Sequence, residues 1–147
     1  MLPQIRCIAI ELAKKYHIPA IRIPCESFRA YMIGETGSLL RIPQLVVLKG
    51  LTLRKRCPKI LQPDYFFGFF FGGNLKKPNL KKVLHILPRT GTCELMCHPG
   101  CKDKNSAYRH WKYHWADELN ALIDPEIANI IKTKGIELIS YRQLANT

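Results

Sequence analysis

The sequence predicts an α/β fold of mostly parallel strands with flanking helices. Amphipathic helical stretches alternate with short apolar runs rich in β-branched or aromatic residues, the pattern of βα units around a parallel sheet. The apolar runs also lack alternation, as expected for strands buried on both faces. About four strands can be placed, few for such a sheet, and the chain opens on a helix with no strand ahead of it. That is the pattern of the back portion of a larger α/β domain.

The elements follow in order. Residues 3–17 read as a helix, with Ile5, Ile8, Ala9, Leu12, Ala13 and Tyr16 on one face and Glu11, Lys14 and Lys15 elsewhere. His17-Ile18-Pro19 stops it, and residues 20–23 form a buried strand ended by Pro24. Gly34 and Gly37 mark a loop before a basic helix over 39–56, with Pro43 in its first turns and Pro58 closing it. Residues 65–73, Tyr-Phe-Phe-Gly-Phe-Phe-Phe-Gly-Gly, predict a buried strand entering a glycine loop. A short amphipathic helix over 79–87 carries Leu80, Val83, Leu84 and Leu87 on one side. Residues 92–97 are a further strand, opening into His98-Pro99-Gly100.

Over 107–122, Trp111, Trp115, Leu119 and Leu122 recur at helical spacing, so one packed helix is expected. Asp124 then caps a helix that has Pro125 at its first position, a buried stripe of Ile127, Ile130 and Ile131, and Gly135 at its end. Residues 136–139 predict a last strand, and Ser140 caps a terminal turn.

Composition excludes several classes. The 147 residues suit one domain spanning 1–147, and a hydrophobic share of 47% supplies a core that a disordered chain would lack. The most apolar run, 65–73, is far short of the roughly 20 residues a membrane span needs. Arg6 and Glu11 interrupt the first residues, so no cleaved leader is expected. Cys7 and Cys25 lie in apolar sequence settings, and reduced thiols in a cytoplasmic protein are the expectation for the six cysteines. The net charge of +12 permits binding to an acidic partner. Its two clusters, Arg54, Lys55, Arg56 and Lys59, and Lys76, Lys77, Lys81 and Lys82, read as solvated helix faces rather than a nucleic-acid surface.

Two constellations could carry chemistry. Cys93, Cys97, His110 and His114 have the spacing of a two-Cys, two-His zinc finger, which would make the chain a zinc- or nucleic-acid-binding basic module. A finger core also needs large apolar residues where this chain has Cys101 and Ala107. A looser zinc set would draw on Cys97, His98 and Cys101 with His110 or His114. The second constellation is at strand ends. His98 stands where an apolar strand turns, the place where parallel α/β folds line their active sites and where imidazole can act as acid or base. Arg22 repeats that geometry with Glu26 close behind, and an arginine there calls for a carboxylate partner or an anionic ligand. Asp64 sits at the opposite strand end and reads as structural.

Ile18-Pro19-Ala20-Ile21-Arg22-Ile23-Pro24 with Glu26, Pro63-Asp64-Tyr65-Phe66-Phe67-Gly68 with Phe71-Gly72-Gly73, and Glu94-Leu95-Met96-Cys97-His98-Pro99-Gly100 together resemble the YdjC-like carbohydrate deacetylases, including the chitooligosaccharide and hopanoid-associated types. Glu118-Leu119-x-Ala121-Leu122 and the run from Gly135 to Tyr141 extend the resemblance over essentially the whole chain.

The resemblance implies a distorted (β/α) barrel, of which this chain would be the C-terminal part without the N-terminal strands. It also implies hydrolysis of N-acetyl groups on amino sugars or oligosaccharides, with a divalent metal (Mg or Zn) held by an Asp and two His. Those ligands lie ahead of the region matched here, so no metal is expected on this chain and negligible activity is expected of it alone. His98 would protonate the departing amine or stabilise the oxyanion, and Arg22 would orient a carboxylate of the missing half. Phe66, Phe67, Gly72 and Gly73 would shape the sugar groove. An open sheet edge where further strands belong predicts aggregation or a homodimer.

Overall fold

The computed structural model describes residues 3–24, 26, 43, 46–47, 60–101 and 108–145. Helix α1, Pro3–Lys15, begins with proline and places Lys14 and Lys15 in its last turn, where cations favour the helix dipole. It ends in a Schellman arrangement: His17 N donates to Lys14 O (3.2 Å) and Ile18 N to Ala13 O (2.8 Å). His17 supplies the left-handed residue, at φ 53°.

A parallel β-α-β unit forms the centre. Strand β1, Tyr65–Phe67, pairs with β2, Cys93–Leu95, in the register Tyr65↔Cys93, Phe66↔Glu94 and Phe67↔Leu95. Helix α2, Lys77–Ile86, makes the crossover, with Pro in its first turn and Asn79, Leu80, Val83 and Leu84 buried. At the strand starts, the Asp64 carboxylate accepts from Thr92 N (2.9 Å) and Thr92 Oγ1 (3.0 Å), a stitch that fits the structural reading of Asp64. Helix α3, Trp115–Leu122, and helix α4, Pro125–Thr133, pack on α2. Asp124 caps α4 by accepting from Glu126 N (2.9 Å), and Gly135 (φ 63°) ends it. Helix α5, Tyr141–Leu144, starts with a capping box between Ser140 and Gln143. The core joins Phe67, Phe70, Phe71, Leu75, Leu80, Val83, Leu84, Ala121 and Ile127.

Several expectations are corrected. The 65–73 run is a strand only to Phe67, because Gly68 turns at φ +99° and a buried Glu26 carboxylate accepts from Gly68 N (3.0 Å) and Phe70 N (2.7 Å). The rings of Phe70 and Phe71 are buried by a compact turn, which an apolar run serves as well as a strand. The strand expected at 20–23 shrinks to one parallel bridge, Ala20↔Leu61, between Pro19 and Pro24, which have no N–H to donate. Residues 136–139 form no strand. Ile136 N turns back to Ile131 O (3.0 Å), leaving Leu138 and Ile139 exposed.

The single helix expected over 107–122 is instead a 3₁₀ turn at Arg109–Trp111 and then α3, broken by Lys112 at φ 56°. Among the described residues two strands pair, against about four expected, and the barrel-like character is therefore not visible in them. The helix expected over 39–56 lies largely outside the described residues, with Pro43, Val46 and Val47 helical.

Helix α1 departs most from expectation. Its apolar face is one-sided as expected from the spacing, yet Ile5, Ile8, Leu12 and Tyr16 are exposed, and so is Cys7; Arg6 and Ala13 are the buried positions. No helix among the described residues is long and apolar enough to cross a membrane.

Candidate active site

The C-terminal end of β2 runs directly into Met96, Cys97 and His98. Met96 N still donates to Phe67 O (2.8 Å), after which the ladder ends. Gly68 permits this approach, since a Cβ there would meet Met96 O at 2.2 Å. The chain beyond the ladder is held from another element. Glu118 of α3, wholly buried, accepts from Leu75 N with Oε1 (2.9 Å) and from His98 N with Oε2 (2.5 Å). A buried carboxylate survives only with such partners, and here both are backbone donors that would otherwise be orphaned at loop positions. Glu118 thus ties the strand end, the loop before α2, and α3 into one rigid corner.

The His98 ring lies edge-on to Tyr113, with centroids 5.0 Å apart. Its Nδ1 is buried and has no hydrogen-bond partner among the described residues. Tyr113 in turn lies over Gly73, where a Cβ would meet the ring at 2.4 Å, and Gly73 adopts φ +79°. Gly73 O accepts from His114 N (2.7 Å), and Gly100 N donates to Trp115 O (3.1 Å). The two glycine turns named by the sequence, 72–73 and 98–100, therefore both dock on residues 113–115.

On Glu94 a second cluster forms. Its buried carboxylate pairs through Oε1 with Arg22 Nε and accepts at Oε2 from the Tyr141 hydroxyl (2.5 Å). The carboxylate expected to meet Arg22 from elsewhere is thus present in this chain, on β2. Burial, then the bond to Glu94, pushes the Tyr141 hydroxyl well above its ordinary pKa. Cys97 connects the two clusters electrostatically: burial raises its thiol, Glu118 adds to the rise, and Arg22 opposes it.

The proposed sugar-groove residues are placed otherwise than expected. Phe66 and Phe67 are 6% and 2% exposed, and Gly72 and Gly73 are buried as well. No ring face of that pair is open to a sugar. Exposed aromatic surface linked to His98 through Tyr113 comes instead from Trp111 and Tyr108. Sequence reasoning also missed Glu118 and Tyr141. Glu118 was readable as a carboxylate on the inward side of a helix, three residues after Trp115 and three before Ala121. Tyr141 gave no local signal.

A divalent metal, which the resemblance implies, finds no set here. Among the described residues no three Asp, Glu, His or Cys side chains converge to hold one, and Glu94 and Glu118 are engaged as structural acceptors. His114 Nδ1 lies 3.3 Å from Asp117 of its own helix. The lysine cluster on α2 is ion-paired: Lys76 with Asp117 (3.3 Å), Lys77 with Asp124 (2.7 Å), and Lys81 with Glu126. The cluster at 54–59 lies outside the described residues.

Comparison with known proteins agrees with the motifs. A "Carbohydrate deacetylase" of Geobacillus stearothermophilus is 31% identical over 84 residues, covering 54% of this chain and 33% of the relative. The matched stretch therefore spans about a third of that enzyme's length. No solved structure matches the chain. The family described as YdjC-like protein matches residues 1–133. With its strand-end histidine on a parallel β-α-β unit, the chain belongs to the YdjC-like family.

Proposed function

We propose that this chain supplies the proton-transfer corner of a carbohydrate deacetylase acting on N-acetylated amino sugars. The observation that supports this reading is His98 at the end of β2, its backbone fixed by buried Glu118 and its ring fixed by Tyr113. Amide hydrolysis expels a poor leaving group, so the nitrogen must be protonated as the C–N bond breaks. His98 Nδ1 is shielded, which leaves Nε2 to deliver that proton. Fixing the backbone through Glu118 and packing one side of the ring on Tyr113 restricts where Nε2 can point, which is what a positioned acid requires. Arg22 is paired through Nε with Glu94, and its half-exposed guanidinium is suited to an oxygen of the substrate or of the oxyanion.

Attack on the acetamide carbonyl also needs an activated water, and no described cluster provides one. The 147-residue chain alone should therefore release negligible acetate from N-acetylglucosamine oligomers, whatever divalent metal is added. A chimera preceded by the corresponding N-terminal part of the Geobacillus stearothermophilus enzyme should release it, and His98→Ala in that chimera should lower kcat about 10²-fold. Robust acetate release by the chain alone would mean that it holds a water-activating site of its own, and an unchanged kcat in the His98→Ala chimera would return His98 to a structural role.

A further inference from the structure

From the geometry we infer a sugar-stacking ledge formed by Trp111 and Tyr108 and joined to His98 through Tyr113. This inference rests on the deacetylase reading and assigns the part of the surface that would hold a pyranose ring.

The ledge is continuous. From His98 the rings step to Tyr113 at 5.0 Å, to Trp111 at 5.8 Å, and to Tyr108 at 4.7 Å. Burial falls along the same path. Tyr113 is half-buried over Gly73, whereas Trp111 and Tyr108 are 51% and 55% exposed. Two large aromatic rings standing side by side half in water form a patch rather than scattered exposure, and here Tyr113 links them to a candidate proton donor. The backbone enforces this display. Lys112 takes the left-handed region at φ 56°, which a non-glycine residue adopts at a cost, and it separates the 3₁₀ turn from α3. Without that break, Trp111 and Trp115 would share one helix face, as their four-residue spacing predicts. With it, Trp115 lies against Gly100 and Trp111 faces outward.

The chemistry of the ledge favours a sugar. A pyranose offers a face of C–H groups, weakly positive, that complements the negative face of an aromatic ring, and its rim of hydroxyls stays hydrated. Successive rings here are tilted to each other by 58° and 65°, giving a stepped surface rather than parallel walls. A step of this kind offers one ring face at a time to a pyranose; a single nucleobase also stacks on one aromatic face, and the oligonucleotide arm of the test separates the two. The four residues that sequence reasoning assigned to the groove are buried, so the ledge also supplies the open aromatic area they do not.

The test uses the intact chain and tri-N-acetylchitotriose as probe. The chain has two tryptophans, Trp111 and Trp115, so intrinsic fluorescence is compared between the native chain and Trp111→Phe to isolate the Trp111 signal. Titration should quench or shift the emission saturably. Trp111→Ala should weaken binding, read by calorimetry, about tenfold or more with an unchanged circular dichroism spectrum, while Trp111→Phe should lose only part of it. Unmodified cellotriose shares the ring faces but lacks the acetamido groups. If it binds within a fewfold of chitotriose and also depends on Trp111, the ledge stands while the acetyl-specific reading loses its support. If chitotriose binds equally to the native chain and to Trp111→Ala, the ledge is overturned and the deacetylase reading survives. Failure of the native chain to bind either sugar overturns it, as does a single-stranded oligonucleotide that quenches Trp111 while both sugars leave it unchanged.

Discussion

In α2, Leu80, Val83 and Leu84 are buried against the aromatic core, while in α1 the matching stripe of Ile5, Ile8, Leu12 and Tyr16 is about half exposed. Both helices were legible from the same 3.6-residue period, and both form. The difference teaches that a periodic stripe specifies a helix with a dry side but says nothing of what covers it. In α2 each large apolar side chain contributes about 1.5–3 kcal/mol through burial, and α3 and α4 supply the covering surface. Helix α1 draws on little of that. Among the described residues, Arg6 and Ala13 are its buried positions, and the segment behind it is tied down by the Ala20↔Leu61 bridge and the Arg22–Glu94–Tyr141 cluster.

The sharpest way to break this comparison is to truncate one side chain in each stripe. Leu80→Ala should cost about 2–5 kcal/mol of unfolding free energy, the range for a buried leucine. Ile8→Ala should change it by only about 0.5 kcal/mol, as at an exposed position. Urea midpoints measure both, and similar losses would show that the α1 stripe is covered in solution.

A smaller effect tests the joint between the regions. Tyr141→Phe removes the hydroxyl that donates to Glu94 and should cost about 1 kcal/mol. The same contact fixes a pH dependence. The folded hydroxyl is held above its ordinary pKa of 10.0, so its contribution is fully present below pH 10. Above that the unfolded chain loses the proton first, and stability falls as pH rises toward the folded pKa. Thermal melts from pH 8 to 11 should show that decline in the native chain and a flatter profile in Tyr141→Phe.

The smallest expected effect compares the two helix ends. Helices α1 and α4 stop with the same hydrogen-bond pattern, but α1 uses His17 at φ 53° and α4 uses Gly135 at φ 63°. His17→Gly should stabilise by about 0.5–1 kcal/mol. Gly135→Ala should destabilise by about 1 kcal/mol through φ alone, since a Cβ there meets nothing within 4 Å. A stabilising Gly135→Ala would remove the conformational argument.

By itself the sequence determined what depends on near neighbours. Helices α1, α2 and α4 follow from period, the Asp124 cap and the Ser140 capping box from residues three apart or less, and His98 at a strand end from the Pro-Gly turn behind it. Tertiary structure alone decided whatever depends on a remote partner. Glu26 bends the phenylalanine run into a turn across 42 and 44 residues, Glu118 reaches His98 across 20, and Glu94 meets Arg22 across 72. The physical reason is common to all three. A buried carboxylate must find donors wherever the fold brings them, and neither hydrophobic period nor turn chemistry records which distant N–H or guanidinium that will be.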